Sequence, residues 1–561
     1  MQIHGEIDRS RVNQLKPTAM QNFGLFNWVI VLTYLVGNLT LGWAMSRRVK
    51  TSEDYYLGDR SSPWWAIGIS VVATYVSALS FLGGPAWAYG DGMAALAIHV
   101  NYPLVIFIVV VVFLPFFFNS GVASIYEYLE RRFGKTSRGV MSLLFLITQS
   151  ITAASILTAT AVVVTYVTGI DAKSAIVMMT AIVLVYTLMG GMNAVIWTDV
   201  LQGVILFIGA GIILFALLGD VSPMSGAFSY LAENGKLNPI DTSLDFSIAP
   251  TIWAGVFAMT MFHITVYGAN QMMVQRALAA KNIGDAKKSY LLMGFAAFFI
   301  YFLFFFIGAL LFVHFKGEPF DQPNEIILVF AQTLAIPGLM GILAAAVLSA
   351  SMSSLSSAFN SLSTITITDF YQPYFKQEGS EKHFLLASRI VTVIWGILVI
   401  PAAFAFIESK GSILEALTAV GSYLVGAKLA MFGLGFFSKH TTQKGLLVGV
   451  AAGFIGIYVL KIGIPFTAWT PPAIAWPWFV VIGGGVNIVV SLIASILLTG
   501  YQSEWHEHTV VGQRLKFRRE NLAEKEGGWY IMPGGIDSIA WLLPVFFVFT
   551  IAFLMWFATL G

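Results

Sequence analysis

The sequence predicts an all-α integral membrane protein with about fourteen transmembrane helices, and three observations carry that prediction. Of its 561 residues, 57% are hydrophobic and only 11% charged, where a soluble domain carries roughly 25% charge. Mean hydropathy is +0.78. Apolar stretches of about the 20 residues that a bilayer crossing needs recur along the whole chain. Lys plus Arg (31) nearly cancels Asp plus Glu (29), so there is no basic field for nucleic acid. The absence of cysteine excludes disulfides, thiolate catalysis and Cys-ligated metals. Residues 1–22 are polar and lack the apolar core of a signal peptide, so the first span is expected to act as the insertion signal.

In chain order the stretches are 25–45, 64–90, 94–118, 138–168, 173–190, 196–219, 249–275, 289–315, 327–369, 384–407, 411–438, 443–463, 475–499 and 535–560. Alternating them from an external N-terminus puts 22 of the 31 Lys and Arg into inward loops, Arg276, Lys281, Lys287 and Lys288 among them. That bias fits fourteen spans with both termini outside, in a plasma (inner) membrane. Loops 220–248 and 500–534 are too short for independent domains. His506 and His508 in the second lack further His or Cys ligands nearby and read as solvated. The sequon at Asn38 falls inside a span and is set aside.

The chemistry concentrates in three places. Residues 344–369 read AAAVLSASMSSLSSAFNSLSTITITD, an apolar span crowded with hydroxyls. Ser353, Ser356 and Ser357 share a helical face, with Ser354 beside it and Ala350 one turn earlier. Hydroxyl oxygens are hard neutral ligands for a small alkali cation; small residues also serve close packing. In the second span, Thr74, Tyr75, Ser77 and Ser80 interrupt an apolar run before Gly83, Gly84 and Pro85. Gly and Pro weaken the helical ladder there and free carbonyls for cations, or simply kink the helix. Asp199, in GGMNAVIWTDVLQG, is a carboxylate at membrane depth. Such groups usually face the interior with a partner, although a helix-capping role is also open. Hydroxyls plus one carboxylate suit sodium better than calcium or potassium.

Lys428, well inside a span, contacts an anionic solute, snorkels or pairs with an acid. His263 lies beside a solute, on a proton path, or in a structural role. No GxxxxGK[ST], HExxH or GxSxG motif is present, which argues against ATP-driven transport and against hydrolysis.

Together these stretches resemble the sodium:solute symporter family. The resemblance rests on the second span, IYEYLERRFG at 125–134, GGMNAVIWTDVLQG at 190–203, YGANQMMVQRALAAKN at 267–282 and SASMSSLSSAFNSLSTITITDFY at 349–371. It implies a 5+5 inverted-repeat, leucine-transporter-like core, with repeats at 64–219 and 249–438 joined by outer loop 220–248. A tail (1–24), a first flanking helix and loop (25–63) and C-terminal flanking helices (439–561) surround it. It also implies a first sodium site made by carbonyls of Ala73, Val76 and Ala350 and hydroxyls of Ser353 and Ser354. A second would use Asp199, Ser353, Ser356 and Ser357, giving two sodium ions per cycle.

The solute does not transfer so directly. Ser80 stands where the sugar branch has Gln, and nothing between Arg138 and Asp171 is charged where the sialic-acid branch has Arg. Tyr75, Ser77, Ser80, Gln149, His263 and Tyr267, with Lys428, are expected around the solute. The uncharged groups favour sodium-coupled import of a sugar or sugar derivative, and Lys428 is the counter-argument for an acid. Sodium-coupled monocarboxylate or pantothenate-like symport, and proton coupling through Asp199 or His263, are the alternatives.

Overall fold

The computed structural model describes residues 23–46, 62–122, 124–189, 192–408, 412–464, 467, 469–500 and 504–561. The tail before residue 23, the basic residues Arg47, Arg48, Lys50 and Arg60, and the side chain of Tyr75 lie outside this description. The chain is helical nearly throughout, as a backbone in hydrocarbon must satisfy its own hydrogen bonds. Eleven described helices are long and apolar enough to cross a membrane. Shorter apolar helices occupy Trp64–Thr74, Ala172–Leu188 and Ala254–Gly268. Each stretch expected from the sequence holds helix, but 64–90 and 94–118 do not separate as drawn: Leu79–Ser120 is one apolar run of 42 residues.

Helix α1 is Gly24–Ser46 and α2 is Trp64–Tyr75. The helical path breaks at Val76 and Ser77, with Val76 at ψ 85°. A wide turn, Leu79–Gly83, then leads into α3, Gly84–Asp91. The break falls before the Gly-Gly-Pro expected to cause it. Pro85 sits in the first turn of α3, where its missing N–H costs nothing. At Gly92, φ is +72°, and a Cβ would lie 2.6 Å from Lys236 Cα, so only glycine lets the 220–248 loop dock there. The segment continues through α4, Tyr102–Ile108, and α5, Leu114–Ser120. Then follow α6, Lys135–Thr168, α7, Ala172–Met189, and α8, Met192–Asp220.

A second broken span mirrors the first. Helix α9, Met259–Gly268, stops where Asn270 turns extended. The Asn270 side chain caps the Met272 amide of α10, Gln271–Leu278. Helix α11, Ile283–His314, packs on α2 and α3. The serine-rich helix α12, Leu339–Ile365, packs against α8, α6, α1 and α2, and every residue from Leu343 to Ile365 is buried. Helix α13 is Glu381–Phe406 and α14 is Ile413–Phe437. Helices α15, Gln443–Ile462, and α16, Trp478–Thr499, form the outlying pair. Their apolar faces stay open, with Ile455 63% and Leu497 79% exposed. An apolar rim around an enclosed polar helix is the inside-out contrast expected of a protein solvated by lipid.

Residues 504–534 form a strap. Helix α17, Val510–Arg519, leads to a two-residue-turn hairpin of β1, Lys525–Glu526, and β2, Trp529–Tyr530. Gly527 and Gly528 both have positive φ, as that tight turn requires. The strap is tied to the bundle by Gly534 N–H on the Val111 carbonyl at 2.9 Å and Asn119 Nδ2 on the Ile531 carbonyl at 2.7 Å. Lys287 Nζ reaches Asp537 Oδ2 at 2.6 Å. The final helix, α18, is Leu542–Phe557.

Candidate ion and solute sites

The break in α2 frees a carbonyl at a defined place. In an unbroken helix the Ser80 amide would bond Val76; here it bonds the Ser77 carbonyl at 3.0 Å. Helix α12 lies alongside, and Ser354 Oγ donates to the Thr74 carbonyl at 2.8 Å. Ala73 and Val76 flank Thr74 at the end of α2, and Ala350 and Ser353 precede Ser354 on α12; all five expected residues are buried. These are neutral oxygen donors of the kind sodium accepts.

Directly behind that junction lies Asp199, fully buried on α8. Its Oδ1 accepts from Ser353 Oγ. Its Oδ2 accepts from Ser70 Oγ at 2.5 Å and Thr74 Oγ1 at 3.3 Å. Ser356 Oγ is buried without a hydrogen-bond partner, an orphaned oxygen of the sort that an ion would satisfy.

Arg276 completes the cluster and was not foreseen there. Its loop-like surroundings in the sequence place it among the inward basic residues, yet it is 1% exposed. The break at Ala269–Asn270 turns α10 into the bundle. The Arg276 guanidinium lies 3.3 Å from Asp199 Oδ2 and donates to Ser70 Oγ at 3.0 Å and Ser357 Oγ at 2.5 Å. Lys287, counted with the same loop, is buried too, on Asp537.

A central cavity of about 140 Å³ opens beside this junction. Thr74 and Ser354 line it together with Ser77, Ser80, Gln149 and Lys428. That volume holds a small solute or a string of waters, since one water needs about 10–15 Å³ on this measure. Along α14 the lining residues Leu414, Thr418, Gly421, Val425 and Lys428 recur at helical spacing.

Two expected solute contacts lie outside the lining. His263 is buried, with Nδ1 2.7 Å from Asn101 Oδ1 and Nε2 3.5 Å from the Tyr102 hydroxyl. The Asn101 amide nitrogen already serves the Ile98 and Gly255 carbonyls, so its oxygen faces His263 and Nδ1 carries the proton. Tyr267 is fully buried beside Tyr102. The histidine that reaches the cavity is His99, with Tyr301 stacked on it at 3.9 Å. No sequence pattern marks His99; it follows the short 3₁₀ segment Gly92–His99, whose register sequence periodicity does not give.

Two spans broken at counterpart points, a hydroxyl-rich helix across from one break and a cavity between them are the parts of a secondary transporter that couples an ion to a solute. The model of the sodium:solute symporter family matches residues 55–453, and the chain belongs to that family. It is a sodium-coupled transporter of the membrane.

The sodium/sialic acid symporter SiaT of Proteus mirabilis is 30% identical over 455 residues, covering 79% of this chain and 91% of that protein. The sodium-dependent multivitamin transporter of Oryctolagus cuniculus is 29% identical, covering 79% and 71%. Sodium-coupled monocarboxylate transporter 2 of Bos taurus is 27% identical, covering 82% and 76%. Among solved structures, a Na+-coupled sialic acid symporter in a substrate-bound outward-open state, described as revealing a novel Na+ site, superposes with a TM-score of 0.77. It is 28% identical and covers 86% of this chain and 100% of its own. Mhp1, a nucleobase-cation-symport-1 transporter, shares the fold at a TM-score of 0.51 and 15% identity, covering 78% and 93%.

Proposed function

We propose that this symporter imports a small hydroxyl-bearing organic solute, a sugar or sugar derivative, with two sodium ions per cycle. The first ion binds the carbonyls of Ala73, Val76 and Ala350 and the hydroxyls of Ser353 and Ser354. The second binds Asp199, Ser353, Ser356 and Ser357. The solute occupies the cavity against Ser77, Ser80, Gln149 and Lys428. Both termini face outward, and the repeats span 64–219 and 249–438.

One observation carries the reading: Ser354 and Thr74 belong at once to the α2–α12 junction and to the cavity wall. An ion at that junction fixes the broken helix on which Ser77 and Ser80 stand. Sodium there favours the outward-open state, the solute then favours closure, and the coupling is their differential affinity for the two states. At the second site, Arg276 offsets the charge of Asp199. A second sodium there weakens the 3.3 Å Arg276–Asp199 contact.

The test is uptake of labelled sugars and sugar derivatives into proteoliposomes with and without an inward sodium gradient. Uptake of one class only with sodium is expected. Uptake indifferent to sodium but driven by a pH gradient would overturn the sodium assignment.

A further inference from the structure

The central cavity carries a charge that nothing among the described residues answers. Lys428 is 4% exposed and lines the cavity. Neither Asp nor Glu is among the lining residues, and among the described residues Lys428 has no ion pair, hydrogen bond or ring contact. It lies three residues past Val425, the midpoint of Ile413–Phe437, so it is close to the centre of its span. It is too deep to reach water by extending its stem past the helix end. A buried ammonium without a counter-charge is costly, and within membranes such groups mark ligand or ion paths.

A second group in the same cavity is unsatisfied. His99 is 2% exposed. Its Nδ1 is 3.0 Å from the Tyr102 hydroxyl, and its ring is fixed against Tyr301. Its Nε2 is buried without a partner among the described residues. The rest of the wall is neutral hydroxyl, amide and apolar.

We propose that the solute bears a carboxylate and that Lys428 is its counter-ion, with His99 Nε2 holding a polar group elsewhere on the same molecule. This rests on the cavity being the solute site, and it narrows the solute from polyhydroxyl compounds at large to acids, sugar acids included. The carboxylate neutralises Lys428 on entry, so the loaded cavity holds a closed ion pair. An uncharged analogue of the same shape leaves the ammonium bare and pays for it.

The full-length protein in lipid nanodiscs, in sodium, would be titrated with matched pairs: N-acetylneuraminate and N-acetylmannosamine, D-glucuronate and D-glucose, nicotinate and nicotinamide. At least one acid is expected to bind about 30-fold or more tightly than its neutral partner. Lys428→Gln is expected to remove that preference and Lys428→Arg to keep part of it, and His99→Phe to weaken the acid while leaving its preference over the neutral partner. Sodium-induced thermal stabilisation, read without solute, persists in Lys428→Gln. Lys428→Met serves as a second variant, since removing an unpaired buried charge does not impair folding. Neutral compounds binding as well as acids, an acid bound equally by Lys428→Gln, inorganic chloride competing as strongly as the acids, or no acid binding at all would each overturn the proposal. Acid uptake that needs Lys428 but not sodium would leave it standing and overturn the ion coupling instead.

Discussion

Lys287 and Lys428 are the two buried lysines among the described residues, 0% and 4% exposed, and they have opposite surroundings. Lys287 holds Asp537 at 2.6 Å, and Asp537 also accepts from the Tyr530 amide at 2.9 Å. That carboxylate is fully engaged within the protein, and the pair fastens the strap to α11. Lys428 faces open volume with no such partner. A buried charge that the fold satisfies is structural; one that the fold leaves unsatisfied is held for something that comes and goes. The two aspartate clusters differ in how closely each holds its arginine. Asp369 sits 2.6 Å from Arg138 and accepts from Ser142 at 2.5 Å, a closed clasp. Asp199 meets its arginine only at 3.3 Å and takes its other bonds from the hydroxyls of Ser70, Thr74 and Ser353.

The lysine contrast is sharpest in stability. Asp537→Asn leaves a buried ammonium bare and is expected to cost about 3–5 kcal/mol, read as thermal unfolding of the solute-free protein in detergent. Lys287→Met with Asp537→Leu should recover most of that loss, since removing both charges is often neutral. Lys428→Met should match or exceed the wild type in the same measurement. An equal loss in Lys428→Met and Asp537→Asn would break the comparison, because Lys428 would then have a partner in the fold.

The aspartate contrast is read in sodium activation of uptake. On the proposed two-ion reading, Asp199→Asn should cost about 1.5–3 kcal/mol of sodium affinity, with the Hill coefficient for sodium falling toward one. Ser354→Ala, at the proposed first site, should cost about 1 kcal/mol, several-fold in half-saturating sodium. Arg138→Gln should lower thermal stability and leave half-saturating sodium unchanged. A shift in sodium affinity with Arg138→Gln would erase the distinction between clasp and site.

The smallest effect belongs to the strap. Partial burial, with Arg132 nearby, lowers His506 below its ordinary range, and burial with Arg131 and Arg132 does the same for His508. A histidine depressed in the folded state contributes stability above its unfolded pKa of about 6.5 and loses it as pH falls below that value. Local opening of residues 504–537, measured by hydrogen exchange corrected for intrinsic rate, should rise modestly from pH 7.5 to 5.5 and stay flat with both histidines changed to Gln.

Much of this was legible in the sequence, for identifiable reasons. Long apolar runs cannot be anything but spans, so the helices appeared where expected. The Ser353–Ser357 spacing fixes a helical face whatever the tertiary context, and Asp199 is conspicuous in an apolar stretch. What escaped was set by backbone breaks. Gly83, Gly84 and Pro85 pointed to an interruption, but the chain gives way at Val76–Ser77, where no Gly or Pro announces it. Arg276 looked like a loop residue because nothing local reveals that α10 turns back into the bundle. His99 and His263 are alike in sequence terms; which one reaches the cavity depends on the 3₁₀ register of Gly92–His99.

The Lys287–Asp537 pair also fixes an order of events during synthesis. The partners are 250 residues apart in the chain. At about 5–20 residues per second, roughly 12–50 s pass between the translation of the lysine and that of its counter-ion. For that interval α11 carries an unanswered ammonium at its N-terminal end, and its neighbours have no strap to hold them. Arrival of the segment that carries Asp537 is therefore a late step of assembly. Chains that stop before Asp537 should be recognised as unfinished by membrane quality control, even with every residue of the ion and solute sites already made.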